Sequence, residues 1–351
     1  MKKLVFIALL AMNLCAYAQS PEVKEYYKNV DFNTSGATLK TALGKLITET
    51  HTRKLNYTPG VWEALKVADL DPENKDQVIL IYGHPGKTTG IQSRVRAKNS
   101  NGGSNGQWNR EHVFAKSLGN PNLGESGPGS DAHHLRPSDV QWNSSRGNLK
   151  FANGSGNSGS VSGGWYPGDE WKGDVARMMM YMYLRYGEQC LPTRVGEGSS
   201  AGTSDAMIDL FLNWNAEDPV SELEIQRNNY LGNASNAYGQ GNRNPFIDNP
   251  YLATKIWGGK VAEDKWGTLS TGKEEFVFAL KVYPNPTTDS FALQSKDLIQ
   301  KVEIYNLTGQ LINTYNNINN NTYNVTGLAK GVYLVTAYTK NGKETRKVVV
   351  Q

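Results

Sequence analysis

Three of the five histidines in this 351-residue chain fall within one short stretch. Asn109-Arg110-Glu111-His112 opens it and Asp131-Ala132-His133-His134-Leu135-Arg136-Pro137 occupies its middle. Asn143-Ser144-Ser145-Arg146-Gly147-Asn148 closes it. These residue types suit cation-assisted hydrolysis of a phosphodiester. That reaction needs an activated water, a cation on the phosphate oxygens and stabilisation of the departing oxygen. Glu111 offers a hard carboxylate oxygen and Asn143 a neutral amide oxygen. Two protein oxygens, completed by water and phosphate, suit Mg²⁺, with Mn²⁺ or Ca²⁺ as alternatives. A neutral imidazole at His112 can take a proton from water near neutral pH. Arg146, one turn after Asn143, can share its helix face and reach phosphate. Of His133 and His134, one could orient His112 or a phosphate and the other serve as a hydrogen-bonded core histidine. Asn148 belongs with these supporting groups. A zinc site or a purely stabilising polar network is the competing reading. The chain carries no His-Glu-x-x-His and no cysteine cluster.

The elements needed to position these groups are a strand, a loop, a second strand and a helix. Trp108 to Phe114 reads as a short strand ending in the Glu-His pair, where the backbone can turn both side chains toward one cavity. Residues 117–130 read as a loop and Asp131 to Leu135 as the second strand. Ser138 is the expected N-cap of a helix over Val140 to Ser145. Around this motif, helical spacing of Leu39, Leu43, Leu46 and Ile47 predicts a helix over Ala37–Leu55. A shorter helix is expected over Pro59–Leu70 and a buried strand over Gln77–Tyr82, with His84 in the turn that follows. Residues 20–36 read as a loose lead-in and 152–164 as a Gly/Asn/Ser surface loop. Gly173–Tyr186 is a Met-rich helix, expected in the core. Ser204–Trp214 and Val220–Leu231 complete a module ending near Trp257. Residues 258–275 read as a linker. From Phe276 short alternating runs separated by turn signals predict a small all-β sandwich. It contains no histidine.

Lys2 and Lys3, an apolar run from Leu4 to Leu14 and Ala16-Tyr17-Ala18 predict a signal peptide cut after Ala18. Cys15 suggests a lipoprotein instead, but Leu14 precedes it where a small residue is wanted. No later run is apolar enough for a membrane helix. Cys190 alone would remain after cleavage, so no internal disulfide is expected. Residues 19–273 hold 27 basic and 27 acidic side chains, whereas 84–150 hold nine Lys/Arg against four Asp/Glu. The positive excess therefore lies on the candidate segment, where a polyanion would need it.

Asn109 to Ser117, Asp131 to Asp139 and Asn143 to Asn148 resemble the endonuclease I family of secreted and periplasmic bacterial nucleases. Further similarity lies at Lys172-Gly173-Asp174-Val175-Ala176-Arg177, Asp218-Pro219-Val220 and Gln240 to Asp248, in collinear order over residues 35–257. The resemblance implies an α+β fold: a mostly helical nuclease domain, 19–257, carrying a ββα-metal motif. It implies Glu111 and Asn143 as metal ligands, His112 as general base, and Arg136 or Arg146 as the leaving-group arginine. It also implies an endonuclease with little sequence preference, acting on DNA and often RNA and leaving 5′-phosphates; a monomer is expected. The disulfides of periplasmic members are missing, which points to the extracellular branch. Val282 to Thr287, Val302 to Gln310 and Gly331 to Val335 resemble the C-terminal sorting domain of type IX secretion. Residues 276–351 would then address the protein to that machinery and be removed after export. A non-catalytic nucleic-acid-binding or surface-adhesion protein with a structural metal site is the alternative function.

Overall fold

The computed structural model describes residues 19–267, 280–339 and 342–351. The expected signal peptide, the linker from 268 onward and the start of the sorting domain at 276 lie outside the described residues. The chain forms two compact units, one ending at Gly267 and the other after it.

The first unit opens with α1 (Pro21–Tyr26), capped by the Ser20 side chain, and α2 (Gly36–Glu49). The lead-in thus contains a helix, because Tyr27 just beyond it is buried and donates to Asp248 at 2.7 Å. Next come α3 (Trp62–Ala68), β1 (Gln77–Ile79) and β2 (Val95–Ala97). Strand pairing ends at Ile79, yet the apolar run stays hydrogen-bonded. Leu80 N–H reaches Arg94 O at 2.7 Å and Ile81 N–H reaches Pro137 O at 2.8 Å. Tyr82 then turns the chain with φ 66°, a left-handed conformation unfavourable for a residue with a Cβ.

The central motif is β3 (Trp108–His112), β4 (Leu135–Asp139) and α4 (Val140–Arg146). β3 and β4 pair antiparallel, with Glu111 opposite Arg136 and His112 opposite Leu135. The second strand lies four residues later than the sequence suggests. Asp131 causes this: its Oδ1 accepts the His133 N–H at 3.0 Å and holds 131–134 in a turn. His133 and His134 therefore precede the strand, and only Arg136 lies on it. The helix cap moves likewise from Ser138 to Asp139, whose carboxylate accepts from Gln141 and Trp142 N–H.

The expected 152–164 loop ends in a hairpin, β5 (Gly159–Val161) and β6 (Gly164–Tyr166), ordered by burial of Trp165 and Tyr166. Helix α5 (Lys172–Tyr186) forms the axis of the unit. Met178, Met179, Met180 and Met182 are buried along it, as expected of a core helix. α6 (Pro192–Val195), α7 (Asp209–Glu217), α8 (Glu222–Gly232), α9 (Pro245–Asp248) and α10 (Tyr251–Trp257) follow. Leu39, Leu43 and Ile47 of α2 join α5, α7 and α10 in the main core. A second cluster, with Val61, Leu65, Trp108 and Leu135, packs behind β3 and β4.

Buried charge ties the motif to this frame. Arg136 is fully buried and pairs with Asp69 at 2.7 Å and Asp174 at 3.0 Å. Arg227 also binds Asp69, and Arg177 binds Glu224 at 2.6 Å. Removing one member leaves buried charge uncompensated. Arg136→Ala should therefore lower stability by about 3–5 kcal/mol in a denaturant melt. A loss below about 1 kcal/mol would contradict this structural role.

The second unit contains β7 (Lys281–Tyr283), β8 (Ser290–Asn306), β9 (Leu311–Thr326), β10 (Gly331–Thr339) and β11 (Gly342–Val350). It is all-β, as expected, but its strands join in one antiparallel sheet rather than two separate ones. The reason is β8, which is long enough to pair β7 with its first half and β10 with its second. Pairing shifts register between Gln294 and Ile299, and both halves contribute to one core through Phe291, Leu293, Val302 and Ile304.

Candidate active site

Arg110, Glu111, His112 and Asn143 line one opening of about 330 Å³, with Lys116 and Asn148 at its walls. The end of β3 delivers the first three and α4 the fourth. Glu111 is buried, and its Oε1 accepts from the Tyr82 hydroxyl at 3.0 Å and faces Arg146 Nη1 at 3.4 Å. Burial pushes its carboxyl up to about 7, while Arg146 and Tyr82 pull the other way. Asn143 donates from Nδ2 to Asn109 Oδ1 at 2.7 Å, which turns its own Oδ1 away as a free acceptor.

His112 is buried and donates from Nε2 to Gly129 O at 2.9 Å. That bond fixes the tautomer and leaves Nδ1 unprotonated. Burial, assisted by His134, lowers the ring's pKa to about 3, so it is neutral at neutral pH. Tyr57 lies across it at 5.5 Å between ring centroids. His134 donates to Pro128 O at 2.7 Å, next to the carbonyl that holds His112. Two imidazoles thus hang from consecutive carbonyls of the Gly127–Ser130 3-10 turn. His133 belongs elsewhere, donating to Asn242 O at 2.8 Å and packing on Tyr181.

The two expected arginines do not line this opening. Arg136 is held in the ion pairs above. Arg146 is buried, with Nη1 and Nη2 on the carbonyls of His112 and Val113 at 3.2 and 2.9 Å. It fixes the backbone of the histidine from beneath. The cations at the opening are Arg110 and Lys116 instead. Arg110 stacks on Tyr57 and Trp62, at 3.5 and 4.1 Å from their ring centroids, and bonds Tyr57 O and Thr58 Oγ1. Both cations, and Asn109, stand inside the motif that carries the site, so the sequence held a signal for them. Tyr57 and Tyr82 had none, being distant in sequence. A larger cavity of about 680 Å³ lies between Asn74, Arg94 and Glu170, but it contains no histidine and its Arg94 and Glu170 pair with one another. The chemistry therefore points to the smaller opening.

Burial lowers the pKa of both His133 and His134 to about 4, against about 6.5 unfolded. The folded state then binds fewer protons than the unfolded chain. Stability from these rings is complete above pH 6.5 and is lost as pH falls through 4. The limit is roughly 3 kcal/mol for each ring. Thermal melts should shift downward steadily from pH 7 to pH 4; a flat melting temperature down to pH 5 would refute this.

A chain that gathers a carboxylate, a neutral imidazole and an amide oxygen at one rim is equipped for hydrolysis, and comparison with known proteins gives the class: a secreted nuclease. The chain belongs to the Endonuclease I family, whose sequence profile matches residues 35–251. An extracellular ribonuclease of Bacillus amyloliquefaciens is 44% identical over 248 residues, covering 68% of this chain and 80% of that protein. An extracellular ribonuclease of Bacillus subtilis (strain 168) is 43% identical over 245 residues, covering 66% and 78%. Residues 281–351 match the secretion system C-terminal sorting domain. A solved structure of PorZ, a surface component of the type-IX secretion system of Porphyromonas gingivalis, overlaps 23% of this chain and 12% of that one. Its identity is 20% and its TM-score 0.20, so that likeness carries no argument. Among the described residues no helix is long and apolar enough to cross a membrane.

Proposed function

We propose that the protein is a divalent-cation-dependent endonuclease that hydrolyses RNA and DNA without base specificity and leaves 5′-phosphate ends. The carrying observation is that two hydrogen bonds commit Asn143 Nδ2 and His112 Nε2 elsewhere, leaving an oxygen and an unprotonated nitrogen at an opening shared with Glu111. Glu111 and Asn143 Oδ1 would hold the cation, and the donor set fits Mg²⁺: hard oxygens, few in number. Among the described residues no group of three or more His, Cys, Asp or Glu is placed to hold a metal ion, which argues against a zinc cage. When bound, such a cation neutralises charge on the phosphate oxygens. His112 Nδ1 accepts the proton of the attacking water as the bond from phosphorus to the 3′-oxygen breaks, that oxygen leaving as a hydroxyl after taking a proton from solvent, and the Gly129 carbonyl keeps the ring oriented meanwhile. A phosphodiester anion nearby favours the imidazolium that forms, offsetting the effect of burial. Arg110 and Lys116 take the phosphate-facing role, in place of Arg136 and Arg146. Recognition through phosphate rather than base edges accounts for the lack of specificity.

The curated relatives' names favour RNA as a substrate. Residues 1–18 as signal peptide, 19–257 as a catalytic domain working as a monomer, 258–275 as linker and 276–351 as the type IX address complete the reading. The test is incubation of the full chain with supercoiled plasmid and with RNA, in Mg²⁺ and in EDTA. Nicking and RNA cleavage abolished by EDTA, with products open to 5′-dephosphorylation, are expected. Cleavage undiminished in EDTA would overturn the cation; no cleavage of either polymer would overturn the nuclease mechanism.

A further inference from the structure

A second polar cavity lies against the Gly127–Ser130 turn. Its volume is about 110 Å³, and His51, Lys54, Arg185, Ser130 and Tyr186 help to line it. No carboxylate lines it. The His51 side chain is 4% exposed, and its Nδ1 has no hydrogen-bond partner. The nearest negative charge is Asp131 Oδ2, at 3.9 Å from that nitrogen, beyond hydrogen-bond reach. Asp131 is already satisfied by four donors. Tyr181 and Tyr186 hydroxyls reach Oδ2 at 2.7 and 2.8 Å, and His133 N–H and Gln240 Nε2 reach Oδ1 at 3.0 and 2.9 Å. Half-buried Arg185 forms no ion pair among the described residues, although most buried or half-buried cations of this unit do, and exposed Lys54 forms none either. Two unpaired cations and an orphaned imidazole nitrogen around a small cavity make a receptor for a compact anion.

The cavity is also joined to the candidate active site by two pieces of chain. The turn that supplies Ser130 to its wall supplies Pro128 O and Gly129 O to His134 and His112. The segment that carries His51 and Lys54 continues to Tyr57, whose ring covers His112. Two residues, Leu55 and Asn56, separate Lys54 from Tyr57, a span of at most about 11 Å. We infer that the cavity is a phosphate subsite, holding a backbone phosphate of the bound strand one or two nucleotides from the scissile bond. This rests on the nuclease reading above and adds to it a fixed register for the strand.

The test uses the full chain and two variants, Lys54→Ala and Arg185→Gln. Lys54 is exposed and Arg185 half-exposed, so both variants are expected to fold, which thermal melts of each will verify. Binding of a labelled single-stranded oligonucleotide is measured by anisotropy in EDTA, so that nothing is cut, across a range of salt. Each variant should weaken binding about three- to tenfold and reduce the slope of log affinity against log salt by about 0.7. Lys45→Ala, a surface change on α2, should leave the slope unaltered. In Mg²⁺ the variants should raise KM with kcat within about twofold of the parent, as expected when uniform binding is lost. Inorganic phosphate distinguishes the source of the anion. Competition that disappears in the double variant places free phosphate in the same cavity; no competition restricts it to backbone phosphate. Unchanged affinity and slope in both variants of a protein that cleaves would overturn the subsite. Absence of cleavage by the parent chain would instead overturn the nuclease reading, and the binding arm would still report on the cavity.

Discussion

Replacing His112 by alanine should lower kcat by about 10²–10⁴-fold, the usual contribution of a positioned base. The expectation follows from atoms rather than from residue type. Nε2 is bonded to Gly129 O, so the ring cannot present a proton at Nδ1 in its neutral form. Nδ1 is then an acceptor at neutral pH, which is the state a base requires. The loss should fall on kcat, and the shift of melting temperature caused by Mg²⁺ should survive, since the ring is not one of the proposed ligands. His112→Asn offers a check on shape, because it retains a polar planar group without a base of useful strength. Activity within tenfold of the parent in either variant would remove His112 from the proton transfer. A folded protein that had also lost its response to Mg²⁺ would move the ring among the ligands.

The second large effect concerns Glu111 and Asn143. A bound cation stabilises the folded state by mass action, by about 2.7 kcal/mol when its concentration is a hundred times the dissociation constant. Titrating Mg²⁺ into the parent protein without substrate should therefore raise its melting temperature. Glu111→Gln and Asn143→Ala should each suppress that rise. Glu111→Gln is the cleaner of the two, because glutamine can still accept the Tyr82 hydroxyl. Groups behind a metal ligand commonly contribute about 10–100-fold, so losing a ligand itself should reduce activity by more than 100-fold. The two readouts separate binding from chemistry. Identical Mg²⁺ titration curves for the parent and both variants would place the cation elsewhere.

The difference between the legible and illegible parts of the site has a physical basis. Glu111 and His112 are adjacent, and Asn143 lies on the helix that follows the next strand, so local spacing carried them to one opening. The Met-rich helix α5 was legible because its apolar side chains repeat all round it. Arg136 and Arg146 were not legible. Their partners, Asp69 and the carbonyls of His112 and Val113, lie 67, 34 and 33 positions away. An arginine that clamps a backbone and one that faces a phosphate have the same neighbours in sequence. The second strand was misplaced for a related reason. Asp131 reads as an ordinary strand-edge residue until Tyr181, Tyr186 and Gln240, brought in by distant elements, converge on it. The bond from the His133 N–H to Asp131 is local turn chemistry, but its selection over a strand depends on those distant partners.

The Gly127–Ser130 turn has a further meaning for how such a site persists in changing surroundings. Histidines in hydrolases are often held by a carboxylate, which titrates and so can release its ring in acid. Here the holders are two peptide carbonyls, which have no protonation state to lose. No side-chain substitution can remove them. Their weak point is shape: a methyl group on Gly129 would meet the Gly124 carbonyl oxygen at 2.0 Å. For a protein exported into surroundings whose acidity it does not control, the orientation of His112, the proposed base, then depends on peptide carbonyls rather than on a titrating group.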